Sequence, residues 1–442
     1  MLSEIPATRR LGMGRFRGGL EDSDLARDRQ HPGASGVLVD RVDTRLTRRE
    51  ALVAALASGA LGGGALLRPV TASAAATATA RIGAILPLSR PGDFVAGNNV
   101  LRAVRLWTDS VNARGGVDGQ RVALNTYDDK ADTGRGAKAV VRAITTDKCT
   151  VVLGGWDSAV ALAEIEEAHR LATPLFVSYA WSPDVTKANY PEVVRIGPNN
   201  DILSNAFAPF MKQQRYRRVA VFFEDTAFGR GLGEAIRTTA ALAGIDMTEQ
   251  IYQRDSHDLR PTLRKVLPSK PDAIVLAAHE APALYLGVTQ ARAAGYKGDI
   301  VLGWDYVNEA FWKATGKSGV GVVWPTFSAP PKDYSAVGMT FTRLFTKTYK
   351  HAPLVYQAFT WDQLNAWKWA VETAGSVAPA DVIPVLPRID MQGTLGHITL
   401  SNKPGTVHFN QWDGVGVYFD EAGKQGATDA NARVLASIKN SG

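Results

Sequence analysis

The chain has 442 residues, 45% apolar and 21% charged, an ordinary globular composition with length enough for one or two sizeable cores. The formal charge is +7, but residues 1–80 hold 11 of the 50 Lys and Arg and 8 of the 43 Asp and Glu, so the remainder carries only +4. No block of basic residues interleaved with aromatics follows, which excludes a nucleic-acid surface, and the single cysteine, Cys149, cannot form an intramolecular disulfide and reads as a small buried apolar residue.

In chain order, Arg48 and Arg49 precede an apolar run from Ala51 to Leu67 that ends in the small-x-small site Ala72-Ser73-Ala74. The pattern is similar to a twin-arginine export signal. Ser58, Gly59 and Gly62 to Gly64 interrupt the run, whereas a membrane anchor needs about 20 consecutive apolar residues. Residues 1–80 are therefore expected to be removed and the mature chain to be periplasmic or secreted.

From Arg81 short apolar runs alternate with amphipathic stretches, the signature of an α/β fold around largely parallel sheets. "RIGAILPL", "RVALNTYDD", "TVVLGG" and "PLFVSY" read as strands, and Val100, Val104, Trp107 and Val111 lie at helical spacing between the first two. After "RIGPNND" come strands "RVAVFFED", "DAIVLAAH" and "DIVLGWD", with helices at 229–243 and 281–294. "VGVVWPTFSAPP" reads as a strand entering a Pro-rich crossover. Helices at 335–350 and 356–375 follow, the second with Trp361, Leu364, Trp367 and Val371 on one packing face. "GTVHFNQWDGVGVYFD" reads as strand, turn, strand.

Ligands of open α/β sheets bind outside the carboxyl ends of the strands, and a chain that crosses between two such lobes makes a hinged clamshell. The strand ends here are "GGWDS", "SYAWSP", "FFEDTAFG", "AAHEAP" and "GWDYVN". They collect tryptophans and hydroxyls that neither a core nor a plain loop requires.

With "IGAILPLSRPGDF", "NARGGVDGQ", "YDD", "TPLFVSYAWSPDVT", "VAVFFEDTAFGRGL" and "QARAAGYKGDIVLG" in this order and spacing, the sequence resembles the type I periplasmic solute-binding proteins of the leucine/isoleucine/valine-binding family over nearly all of residues 81–425. The resemblance implies two Rossmann-like lobes joined by several hinge crossings, the first from 81–199 plus 327–395 and the second from 200–326 plus 396–442. It implies a small-molecule ligand between them and an ABC permease as partner; a monomer is expected, with no cofactor, no metal and no catalytic role. A ligand carboxylate would meet the helix start at Asp157 and Ser158, whose free amides suit an anion, and the loop Tyr179, Ala180, Trp181 and Ser182. An ammonium would meet Asp305. Trp156, Phe228 and His279 complete the expected contacts, and Trp304 and Tyr306 extend an aromatic box.

Plainer roles stay open, since Ser158 could simply cap the helix that follows it and Asp305 the one carrying Glu309 to Ala314. "EIEEAH", Glu164 to His169, is expected on a solvated helix face. No G-x-S-x-G, H-E-x-x-H or G-x-x-x-x-G-K-[ST] occurs in the mature chain. The ligand expected is amino-acid-like, branched-chain or aromatic. An aromatic carboxylate, a small amide or a sensing ectodomain are the other readings.

Overall fold

The computed structural model describes residues 79–254, 256–278, 281–305, 307–328, 333–401, 409–412, 414, 416–427 and 432–438. The signal segment with Arg48 and Arg49, as well as His279 and Tyr306, lies outside the described residues.

The first lobe is built on strands β1 (Arg81–Leu86), β2 (Ala123–Asp128), β3 (Val151–Gly154), β4 (Leu175–Val177) and β5 (Val193–Val194), all parallel in the order β2-β1-β3-β4-β5. The second lobe has β6 (Arg218–Glu224), β7 (Asp246–Tyr252), β8 (Ala273–Ala277), β9 (Asp299–Leu302), β10 (Val322–Thr326), β13 (Val417–Glu421) and β14 (Arg433–Ile438). Its order is β14-β13-β10-β9-β8-β6-β7, antiparallel only where β13 meets β10 and β14. Strands β11 (Asp390–Gln392) and β12 (His397–Thr399) form a separate hairpin.

β3, β4 and β8 are buried along their whole length, as parallel strands covered on both faces must be. This is why their apolar runs are unbroken. β7, "DMTEQIY", is a strand the sequence pattern does not announce; it closes one sheet edge, exposed or half-exposed except at Tyr252, and its alternating polar residues hide it. β5 is too short to give a pattern. The described half of the expected C-terminal hairpin, β13, pairs instead with β10 and β14.

Helices follow the strands, and the first five named here are each started by a polar cap. α1 (Phe94–Asn112) is capped by Asp93, α2 (Thr133–Thr145) by Asp132, α3 (Ser158–Arg170) by Asp157, α4 (Asn200–Gln213) by Asn199 and α5 (Ala227–Leu242) by Thr226. α6 (Arg260–Val266), α7 (Ala281–Ala293), α8 (Glu309–Thr315), α9 (Ala336–Tyr349) and α10 (Val355–Ala374) complete the set used below. On α10, Trp361 meets Phe341 at 4.8 Å and Trp367 meets Trp107 of α1 at 6.1 Å, all of them buried. The tryptophan face is packing, as its spacing indicated.

The chain passes to the second sheet through α4, returns after β10, and docks residues 409–412 on the first lobe before entering β13. The Arg195 N–H donates to the Asn410 carbonyl at 3.0 Å, and the Gln411 side-chain amide donates to the Gly197 carbonyl at 2.9 Å. No helix among the described residues is long and apolar enough to cross a membrane.

Candidate functional site

β3 ends at Gly154, and Gly155 turns the chain with φ +71°, a left-handed conformation suited to glycine. A Cβ there would also approach the Ala161 side chain to 2.9 Å. The turn delivers Trp156 and then Asp157, whose carboxylate accepts the Ala159 N–H at 2.9 Å and caps α3. Capping therefore belongs to Asp157 rather than to Ser158. The Ser158 Oγ instead accepts the Ser182 N–H at 3.2 Å, tying the loop after β3 to the loop after β4.

That second loop is held from below. The N–H groups of Tyr179 and Ala180 both donate to the Gly155 carbonyl, at 3.1 and 2.9 Å. The buried Gln363 amide of α10 donates to the carbonyls of Val177, Ser178 and Ile196. Arg195, 1% exposed, donates to the Ala180 carbonyl at 3.1 Å, the Ser182 carbonyl at 2.7 Å, the Gln411 side chain at 2.5 Å and the Thr186 hydroxyl at 2.9 Å. A guanidinium with its donors spread over one loop fixes that loop's shape.

On this scaffold Trp156, Ser158, Tyr179 and Trp181 of the first lobe meet Phe228 and Trp304 of the second around a narrow cavity, with room for about one water molecule. Trp156 stacks on Tyr179 at 5.3 Å. Trp181 sets its edge against Trp304 at 5.0 Å and Phe228 at 5.6 Å, so the lobes touch ring to ring. Tyr356 and Phe327 back these rings, 5.2 Å from Trp156 and 5.3 Å from Trp181. Neither is legible in the sequence, because helical periodicity gives no sign that Tyr356, near the start of α10, faces a strand end.

Of the remaining expected contacts, Ala180 does not line the cavity; its side chain packs in the core under α3 and its carbonyl serves Arg195. Asp305 also lies outside the lining, half-buried, and accepts the Thr326 hydroxyl at 3.2 Å. Asn308, not Asp305, caps α8. His279 falls outside the described residues.

The sequence also hides Arg254, which follows the unforeseen strand β7. Its guanidinium reaches Glu224 of its own lobe at 3.4 Å and Asp157 of the other at 3.5 Å. Glu164 is a correction of another kind. It was expected on a solvated face, but it is fully buried beneath the site, its carboxyl filling the space that Gly136 and Gly154 leave for want of a Cβ. Burial, with Asp129 and Asp157 nearby, pushes that carboxyl well above the usual carboxylate range. Burial likewise lifts Asp129 to about 7. Cys149, buried against Gly83, has its thiol pushed up to about 11 by burial, in keeping with an inert packing role.

The family model of periplasmic binding proteins matches residues 79–411. The chain belongs to that family. Its two sheets, one purely parallel and one carrying an antiparallel edge, are the fold of a type I periplasmic binding protein, and its relatives are of the leucine/isoleucine/valine-binding kind. It is 24% identical to the Leu/Ile/Val-binding protein BraC3 of Rhizobium johnstonii, over 68% of this chain and 81% of that one. It is also 24% identical to the Leu/Ile/Val-binding protein homolog 7 of Brucella suis, over 52% of this chain but only 60% of that relative's length. Among solved structures this binding protein resembles a leucine-binding protein from Thermotoga maritima, with TM-score 0.72, 21% identity, and 81% and 99% of the two chains covered. It also resembles an ABC-transporter solute-binding protein from R. palustris in complex with benzoate, with TM-score 0.71, 18% identity, and 82% and 97% covered.

Proposed function

We propose that this periplasmic binding protein is the extracytoplasmic solute receptor of an ABC importer and that its ligand is a small organic acid with a flat, aromatic body. The observation that carries the reading is the seam between the lobes, walled by aromatic rings from both and bordered by the N-terminal residue of α3, where the rings must part to seat anything larger than the one water their cavity holds. Rings supply apolar area and stacking for a planar ligand, and a helix N-terminus supplies amides and a positive dipole end for a carboxylate. The R. palustris relative in complex with benzoate supports an aromatic acid as a ligand class for this fold.

The amino-acid reading rests on Asp305 as the ammonium partner, and Asp305 lies beside Trp304 but outside the lining of the cavity. We further propose export by the twin-arginine signal, action as a monomer, delivery to a membrane permease, and a binding rather than a catalytic role. Native mass spectrometry of protein purified from its own host tests the ligand class: release of an aromatic acid is expected. Release of a branched-chain amino acid would return Asp305 to the centre of the site.

A further inference from the structure

We infer that the cavity selects for ligand oxygens that only accept hydrogen bonds, so that a 2-oxo acid or similarly oxygenated aromatic acid is bound in preference to the amino acid of the same skeleton. The inference rests on the proposed acid-binding role of this cavity and adds to it the rule of discrimination. Trp156 and Trp181 line the cavity and are 3% and 1% exposed, yet their indole N–H groups have no hydrogen-bond partner among the described residues. Buried tryptophans ordinarily place that N–H on an acceptor. This chain does so elsewhere: the indole of Trp107 donates to the Asn365 side chain at 2.9 Å, that of Trp312 to the Ala427 carbonyl at 2.8 Å, and that of Trp412 to the His397 carbonyl at 3.0 Å. Trp367, packed on Trp107, is the exception outside the cavity.

An indole nitrogen donates and never accepts. The lining also holds two hydroxyls: that of Ser158, which accepts the Ser182 N–H and keeps a proton and a second lone pair, and that of Tyr179, which can donate or accept. The two indoles, Trp156 and Trp181, are thus the groups of the lining that lack a partner and can only donate. An ammonium placed against the two indole N–H groups would leave both unsatisfied, whereas a keto oxygen or carboxylate would accept from them. A site with buried groups made for one hydrogen-bonding sense rejects the analogue that cannot pair with them far more strongly than it rejects a change of shape.

Titration calorimetry at one pH with two matched pairs, phenylpyruvate against L-phenylalanine and 4-methyl-2-oxopentanoate against L-leucine, together with benzoate, tests this on the mature chain. The oxo acid of each pair should bind at least about tenfold more tightly. Trp156→Phe and Trp181→Phe, which keep a ring and delete the N–H, should shrink that ratio, and the ratio cancels any general loosening of the walls. A variant that fails to fold leaves the wild-type ratios as the deciding measurement. Equal or tighter binding of the amino acids overturns the inference while leaving a solute-binding role intact. Unchanged ratios in both folded variants overturn the assignment to the indoles. Heat from none of the five probes overturns the acid-binding reading itself, and this inference with it.

Discussion

Trp181 touches Phe228, Trp304 and Phe327 at once and is 1% exposed, so the ring proposed as ligand wall is also core. Trp181→Ala should therefore lower stability by about 3 to 5 kcal/mol as well as abolish binding; chemical denaturation measured beside calorimetry separates the two. Asp305→Ala discriminates between ligand classes. A buried ammonium losing its partner would cost about 3 to 5 kcal/mol, or roughly two to three orders of magnitude in affinity. An aromatic acid should bind the variant within a few-fold of wild type. Calorimetry with the released ligand decides.

Glu164 and Asp129 set a pH dependence with a definite sign. Both hold their protons more tightly in the folded chain than in an unfolded one, where carboxyls titrate near 4. Their contribution to stability is then complete below about pH 4 and is lost as pH rises toward and through about 7. Asp128 and Asp272, held below the usual range, act in the opposite sense and only in more acidic solution. The melting temperature should fall between pH 5 and pH 8. Glu164→Gln should flatten that slope, so that its stability relative to wild type rises from pH 5 to pH 8. A variant with the wild-type slope would remove Glu164 from the explanation.

At the scale of elements, the two loops that build the first-lobe wall owe their shape to side chains far away in sequence. Arg195 and Gln363 reach them from β5's end and from α10. Arg195→Met keeps the bulk and strips the donors from the Ala180 and Ser182 carbonyls, so a loss of at least about 3 kcal/mol is expected in a urea titration. This is also where legibility in the sequence ends. Strands β1, β3, β4, β6, β8 and β9 could be read because burial on both faces demands continuous apolar runs, and the cavity residues Trp156, Ser158, Tyr179, Trp181, Phe228 and Trp304 could be read because they sit where those runs stop. Edge strand β7 carries no such run, and Arg254 was hidden with it. Tyr356 was hidden for a different reason: which face of a long buried helix meets a strand end is decided by packing, not by period.

For the whole molecule, closure needs contacts that exist only when the lobes meet. Arg254 with Asp157 is such a contact, beside the ring contacts. Asp157→Asn keeps a good helix cap while removing the charge, which separates the latch from the fold. Small-angle scattering should give that variant a larger radius of gyration than wild type at low salt. The difference should fade at about 1 M salt, where charges are screened over a few ångströms. Identical profiles at low salt would show that the rings alone hold the lobes together.

The interleaving of the lobes has a consequence for the order in which the chain can fold during synthesis. The first sheet is finished by Val194, and Gly155, Ser158 and Arg195 already reach the loop after β4, but two supports come much later in the chain: Gln363, and Gln411, which holds Arg195. A ribosome must therefore release nearly the entire polypeptide before that set of supports is complete. Long-range closure of this kind slows folding, leaving an interval in which the nascent lobe exposes Trp156 and Trp181 to chaperones. A fragment ending at residue 326 should accordingly show secondary structure in the far ultraviolet but no cooperative thermal transition for its N-terminal half.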